Sequence, residues 1–303
     1  ADFAGNAIRR ISPGGEVETL AGGGAAGWRD AVGRLALFNG PDGLAVDADG
    51  TLYVADAENF RIRKVLPNGV VDTLAGSGTA GLLGGDAAEA MFAYPTGVAV
   101  GPDGHVYVAD RRSHTVRKIT PEGEVYLIAG NGHPGFADGV GPMSHLREPI
   151  SVAVSADGTV YVADSGNHAL RKITPGGLVL TVAGGRRAGR RDGVGNSALF
   201  SWPTGIAVDK DGYIYVCDSN NNSIRRVSPE GLVITLAGSG TAGSADGEAA
   251  AASFTFPTGI TVADDGTVYI ADTGNNLIRK ISRSGGFIFA AGGRALFQGD
   301  SDQ

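Results

Sequence analysis

Five prolines, Pro41, Pro95, Pro149, Pro203 and Pro257, stand 54 residues apart, and each opens nearly the same string. The strings read PDGLAVDADGTLYVAD, PTGVAVGPDGHVYVAD, PISVAVSADGTVYVAD, PTGIAVDKDGYIYVCD and PTGITVADDGTVYIAD. The second half of the unit recurs too, as IRKVLPNGVVDTLAG in the first copy and IRRVSPEGLVITLAG in the fourth. A register held without a slip through five copies settles the architecture. A repeat of this length is one supersecondary unit, and it buries its apolar faces only by stacking on its neighbours.

Each copy reads as four strands. Strand a is the GLAV or GIAV run, strand b the TLYVA or TVYVA run, and strand c the IRKV, VRKI, LRKI or IRRV run. Between a and b lies an Asp-Gly pair (Asp49-Gly50, Asp103-Gly104, Asp157-Gly158, Asp211-Gly212, Asp265-Gly266), a hairpin signal that predicts type I′ turns with positive φ. A Pro-x-Gly turn such as Pro67-Asn68-Gly69 leads into strand d. The 50 glycines, without a collagen triplet, suit a chain of many short strands and turns. Four antiparallel strands repeated radially make one blade of an all-β propeller. No segment carries the sustained 3.6 period of a long helix.

The pattern P-x-G-(I/V)-A-V-x-x-D-G-x-x-Y-V-A-D, followed five residues on by (I/V/L)-R-(K/R)-(I/V), resembles the NHL repeat. The resemblance spans essentially the whole chain and implies a β-propeller of four-stranded antiparallel blades, six of them in the usual case. The expectation is one domain over 1–303: a half blade at 1–22, then repeats starting at 41, 95, 149, 203 and 257. One blade is expected to be incomplete. NAIRRISPGGEVETLAG supplies its strands c and d, and GGRALFQGDSD (292–302) resembles the VGRLALFNGPD that leads into strand a at 32–42. Its strands a and b are not in the sequence, so the ring lacks a hairpin or a partner edge fills the gap, and an open edge invites self-association.

A net charge of −7 disfavours nucleic acid and anionic membranes as broad partners. No apolar run approaches the roughly 20 residues of a membrane span. Cys217 is the only cysteine, which removes an internal disulfide and a Cys-based zinc site. ADFAGNAIRR holds no signal-peptide core and no initiator Met, so the compartment is unreadable. The tight a–b and c–d turns fall on one face of a propeller, and the b–c loops and long d–a connections (77–94, for example) on the other. Long loops over a rigid scaffold carry binding, so the long-loop face around the channel mouth is the candidate functional face.

Features present in every blade read as structure. GxGxxG recurs in the d–a loops as GGGAAG, GSGTAG, GNGHPG and GSGTAG with no βαβ unit around it. Asp2, Asp56, Asp110, Asp164, Asp218 and Asp272 end strand b, with Asn59, Asn167, Asn221 and Asn275 three residues on. They could ring a channel mouth for Ca²⁺, but the reading favoured by their recurrence is organisation of each b–c loop. Arg9, Arg63, Arg117, Arg171, Arg225 and Arg279 recur in strand c. The family resemblance raises RNA binding for them, whereas periodicity and acidic charge favour ion pairs within or between blades. Phe38, Phe92, Leu146, Phe200 and Phe254 read as core.

Features that do not repeat are the functional candidates. Arg186, Arg187, Arg190 and Arg191 crowd one d–a loop, a grip for a carboxylate, phosphate or acidic partner. Arg111 and Arg112 form a second basic doublet. Trp28 and Trp202, the only tryptophans, lie on the long-loop side, where an exposed one anchors a partner. Glu148-Pro149-Ile150 replaces P-T-G in the third copy, and Asp42 replaces Thr in the first. Lactonase propellers of similar architecture hold a divalent cation with a Glu, Asn and Asp set, to which Glu148 is the one match. His114 and His168, equivalent positions 54 residues apart, make a second metal candidate with it. No HExxH and no nucleophile elbow is present. The expectation is therefore a non-catalytic scaffold without a cofactor that binds protein, peptide or glycan. A lactonase-like hydrolase using Ca²⁺ or another divalent metal, and then an RNA-binding propeller, are the alternatives.

Overall fold

The computed structural model describes residues 1–282 and the strand Phe287–Ala291; the resemblance of 292–302 to 32–42 lies outside the described residues. In each repeat β-branched and aromatic residues alternate between two faces, and the strands they form pair antiparallel. The sheets are five-stranded. Blade 2 shows the plan: strand a is Pro95–Val100, b Val106–Asp110, c Thr115–Ile119 and d Glu124–Ala129. A two-residue strand, Gly85–Asp86, pairs with the outer edge of strand d. The four-strand expectation is corrected by that addition. The long d–a connection doubles back along strand d and covers an edge that would otherwise stay unpaired.

The six-blade expectation is also corrected. The described residues form five such blades and a two-stranded sheet of Ile8–Ile11 and Val17–Ala21. The blades stack through their apolar faces. Ala55, Ile62 and Ala75 of blade 1 meet Phe92, Val98, Val106 and Val108 of blade 2 in one core, and the same contact recurs between later pairs. The two-stranded sheet packs on blade 1 through Ile8 and Ala21, against Phe38 and Val54. Burying each Val, Ile or Phe side chain there stabilises by about 1.5–3 kcal/mol, so the repeat carries its core in the seams between blades.

The Asp-Gly hairpins are not type I′. Gly50 N–H donates to Asp47 O and Asp47 N–H to Thr51 O, and within this turn only Gly50 has positive φ. This is a three-residue connection, a type I turn closed by a left-handed glycine, and one left-handed residue suffices for it. Around the channel the glycine of P-x-G has a separate reason: a Cβ on Gly97 would lie 2.6 Å from Ile150 O, and one on Gly43 closer still to Thr96 O. Neighbouring strands a therefore approach closely enough for the Thr96 hydroxyl to donate to Ile150 O at 2.8 Å.

Candidate functional site

Strand a begins, and strand b ends, at the same rim of the channel, so the residue before each proline faces the b–c loops. Two repeated devices fix this rim. In the first, the Asp closing strand b is buried and its carboxylate is shared. Asp164 accepts the Arg147 N–H (2.7 Å), the Asn167 amide (2.8 Å) and Nη1 of Arg171 (2.8 Å), and Arg171 also reaches Asp138 (2.7 Å). The same relay stands in blades 1, 4 and 5 around Arg63, Arg225 and Arg279, all fully buried. These arginines are spent within the fold, on carboxylates and on rings such as Phe38, 4.9 Å away, and offer no RNA-facing surface. The second device is a latch between blades. A left-handed residue of the b–c loop accepts the N–H of the residue before the next proline: Asn6 from Gly40, His114 from Glu148, His168 from Trp202 and Asn222 from Phe256.

His114 and His168 are therefore latch residues. Their Nδ1 atoms accept backbone N–H groups at 3.0 Å, which leaves the proton on Nε2, and burial holds both below the usual histidine range. Glu148 is paired with Arg111. The three do not share a coordination centre, and among the described residues no group of three or more His, Cys, Asp or Glu is placed to hold a metal ion.

What the frame positions is a set of residues that differ from blade to blade. Arg111, at the end of strand b of blade 2, donates through Nε and Nη2 to Oε2 of Glu148 at 3.2 and 2.9 Å. Its guanidinium also lies 5.7 Å from the Trp202 ring of blade 4. One side chain thus reaches across three blades. Asp42 of blade 1 is solvent-exposed and does not line this cavity, but it lies near enough to feel the charge of Arg111. Desolvation pushes its carboxyl up to about 6, against the pull of the Ala1 amine and then of Arg111. Arg112 stacks on Tyr94 at 4.3 Å, and the Tyr94 hydroxyl donates to Glu58 at 3.0 Å. Burial, and then that bond, push the phenol up to about 12. Tyr94, Arg111, Arg112, His114 and Glu148 line a cavity of about 330 Å³. Guanidinium, carboxylate and aromatic face together can orient a polar ligand by charge and stack its apolar part.

Of the sequence candidates, Arg111, Arg112, His114, Trp202 and Glu148 meet here. Trp28 does not: its indole donates to the Thr73 hydroxyl (3.0 Å) and Arg61 covers its ring, out on blade 1. The four loop arginines disperse. Arg191 donates to Ser197 O as its counterpart Arg29 does to Leu35 O, and Arg190 reaches Gly238 O just past strand d of blade 4. Arg186 and Arg187 stay exposed. Tyr94 and Glu58 join the mouth, and Arg147 stands beside it, without having been singled out by sequence. The signal was their departure from the other copies at the residue before each proline, at the second b–c residue, and at the position preceding Glu148.

The NHL repeat model matches residues 38–65, 92–119, 146–173, 200–227 and 254–281. Protein SUPPRESSOR OF QUENCHING 1, chloroplastic, of Arabidopsis thaliana is 33% identical over 87% of this chain and 27% of its own length. NHL repeat-containing protein 2 of Bos taurus is 28% identical over 93% of the chain and 44% of its own. The chain thus spans less than half the length of these curated relatives. Among solved structures, an auxiliary nutrient binding protein from Bacteroides thetaiotaomicron shares the fold at TM-score 0.66 and 17% identity, over 95% of this chain and 70% of the other.

Proposed function

Because the chain belongs to the NHL-repeat family, whose repeats here build a rigid frame, we propose that it is a non-catalytic binding scaffold. It recognises its partner, a protein, peptide or glycan, with the long-loop face at the channel mouth. The observation that carries this is the reach of Arg111: non-repeating residues of three blades converge where the repeat alone requires nothing of them. A half-buried guanidinium held between a carboxylate and an indole is preorganised, so ligand binding orders little that is still free. A nutrient-binding protein of the same fold fits this reading without adding to it.

The test is a panel of peptides, glycans and small organic acids assayed by thermal shift and calorimetry against wild type, Arg111→Ala and Arg29→Ala. A ligand lost with Arg111→Ala, by about tenfold or more, and kept with Arg29→Ala supports the mouth as the site. Binding indifferent to Arg111 overturns it. Turnover of a lactone that needs added Ca²⁺ or Mn²⁺ and vanishes in Glu148→Gln would replace the scaffold reading with a hydrolase.

A further inference from the structure

Beside the mouth, between blades 3 and 4, a second cavity of about 410 Å³ is lined by Phe136, Arg147, Gly166, Asn167 and Arg186 among others. We propose that this cavity is a separate oxyanion-binding site that takes a carboxylate or phosphate group. It does not depend on Arg111, so it stands or falls apart from the reading above.

Both arginines break the repeat. Arg186 occupies the second position of the d–a loop, where the other four copies have Gly24, Gly78, Gly132 and Gly240, all with positive φ. Arg186 is held there at φ 27, a conformation that side-chain-bearing residues adopt at a cost. The fold asks for glycine, and its replacement by a cation works against stability, which is the mark of a residue retained for something else. Arg147 stands where the other copies have Asn39, Ala93, Ser201 and Thr255. Its side chain lies across Gly166: a Cβ there would come within 2.7 Å of Arg147 Cγ. Of the four counterparts of Gly166, Glu58, Arg112 and Asn220 would block that path, and only Gly274 would leave it open.

The chemistry of the lining is one-sided. Arg186 donates to Phe136 O at 3.2 Å and rests 5.5 Å from that ring, which leaves most of its N–H donors for another acceptor. The Arg147 guanidinium has no acceptor among the described residues, and no carboxylate side chain lines the cavity. The nearest ones are engaged: Asp164 and Asp138 by Arg171, Glu148 by Arg111. Two guanidinium forks without a counterion, in a chain of net charge −7, match the planar bidentate geometry of an oxyanion. Asn167 keeps its amide on Gly135 O and Asp164, so it shapes the wall rather than binding.

The test uses inorganic phosphate and glutarate, titrated by calorimetry at fixed ionic strength with chloride as the balancing anion. The variants are Arg186→Gly and Arg147→Ser, each the residue of another copy, and each should fold at least as well as wild type. The expected result is saturable binding of at least one anion, weakened about tenfold or more in either variant with no loss of melting temperature, and unchanged in Arg111→Ala. Phosphate binding alone assigns the site to phosphate-bearing ligands, and glutarate alone to carboxylates. Binding of neither, or binding equal in wild type and Arg186→Gly, overturns the proposal.

Discussion

At the scale of single residues, the two latch histidines make the fold sensitive to acid in a way the latch asparagines do not. Protonating Nδ1 of His168 breaks the bond from the Trp202 N–H, and burial opposes the charge, as does repulsion from Arg147. A histidine held below its ordinary value of about 6.5 contributes stability that is present above that pH and lost as pH falls through the folded value. Asn222 fills the same position with an oxygen that does not titrate, 2.9 Å from the Phe256 N–H. The double variant His114→Asn, His168→Asn should therefore match wild type near pH 7.5 and lose less melting temperature between pH 7 and 5. His168→Ala should lose about 1 kcal/mol at either pH, one neutral hydrogen bond. An acid profile unchanged in the Asn double variant would refute the latch. The sequence showed the two histidines as equivalent and adjacent, but a ligand pair and a pair of backbone acceptors look alike until the left-handed loop aims each ring at the next blade.

At the scale of the blade, the relay of buried charges has one exception, and it is the blade that carries the site. Blade 2 has Gly84 where its counterparts have Asp30, Asp138, Asp192 and Asp246, and Ser113 where they have Asn. Arg117 is left with two carbonyls, Met91 O and Leu83 O, while Asp110 is satisfied by the Ala93 and Tyr94 N–H groups. Removing an arginine from a full relay strands a buried carboxylate, so Arg171→Met should cost about 3–5 kcal/mol. Arg117→Met forfeits two bonds to neutral oxygens and the attraction of Arg117 for Asp110, whose backbone donors remain, and should cost less, about 1–3 kcal/mol. Urea denaturation of the two variants measures the difference; equal losses would mean that the carboxylate bonds add nothing. The aspartate cannot simply be restored, since a Cβ on Gly84 would stand 2.7 Å from Val125 O. Most of this element was legible: alternation placed the strands, and recurrence marked Asp, Asn and Arg as frame. The outer strand was not, because two residues carry no period. Nor was the dispersal of the four loop arginines, because a loop's path obeys no repeat. Arg186 was noticed as one of four clustered charges, whereas its meaning lies in the glycine column it interrupts.

At the scale of the whole molecule, the described residues, five blades and a two-stranded sheet, leave a slot beside strand a of blade 1. Positions that face the preceding blade are closed in blade 2, where Val98 is 6% exposed, but the equivalent Leu44 is 39% exposed, and Val46 reaches 60%. On the far flank Tyr269 is 40% exposed against 8% for Tyr107. The cause is topological: the sheet of Ile8–Ile11 and Val17–Ala21 supplies the outer pair of a blade, and among the described residues no inner pair stands against strand a of blade 1. An apolar face beside an unpaired strand is an adhesive surface. This chain should therefore associate with itself at concentrations on the order of 100 µM, where weak contacts of this kind begin to populate. Leu44→Glu with Val46→Lys should return it to monomer in sedimentation velocity. A wild type that stays monomeric would show the slot to be inert. Leu44 and Val46 line neither the mouth nor the cavity of Arg186, so the monomeric variant should bind mouth and cavity ligands with unchanged affinity. If affinity falls instead, the mouth is completed by a second copy, and the binding unit is the pair rather than the single ring.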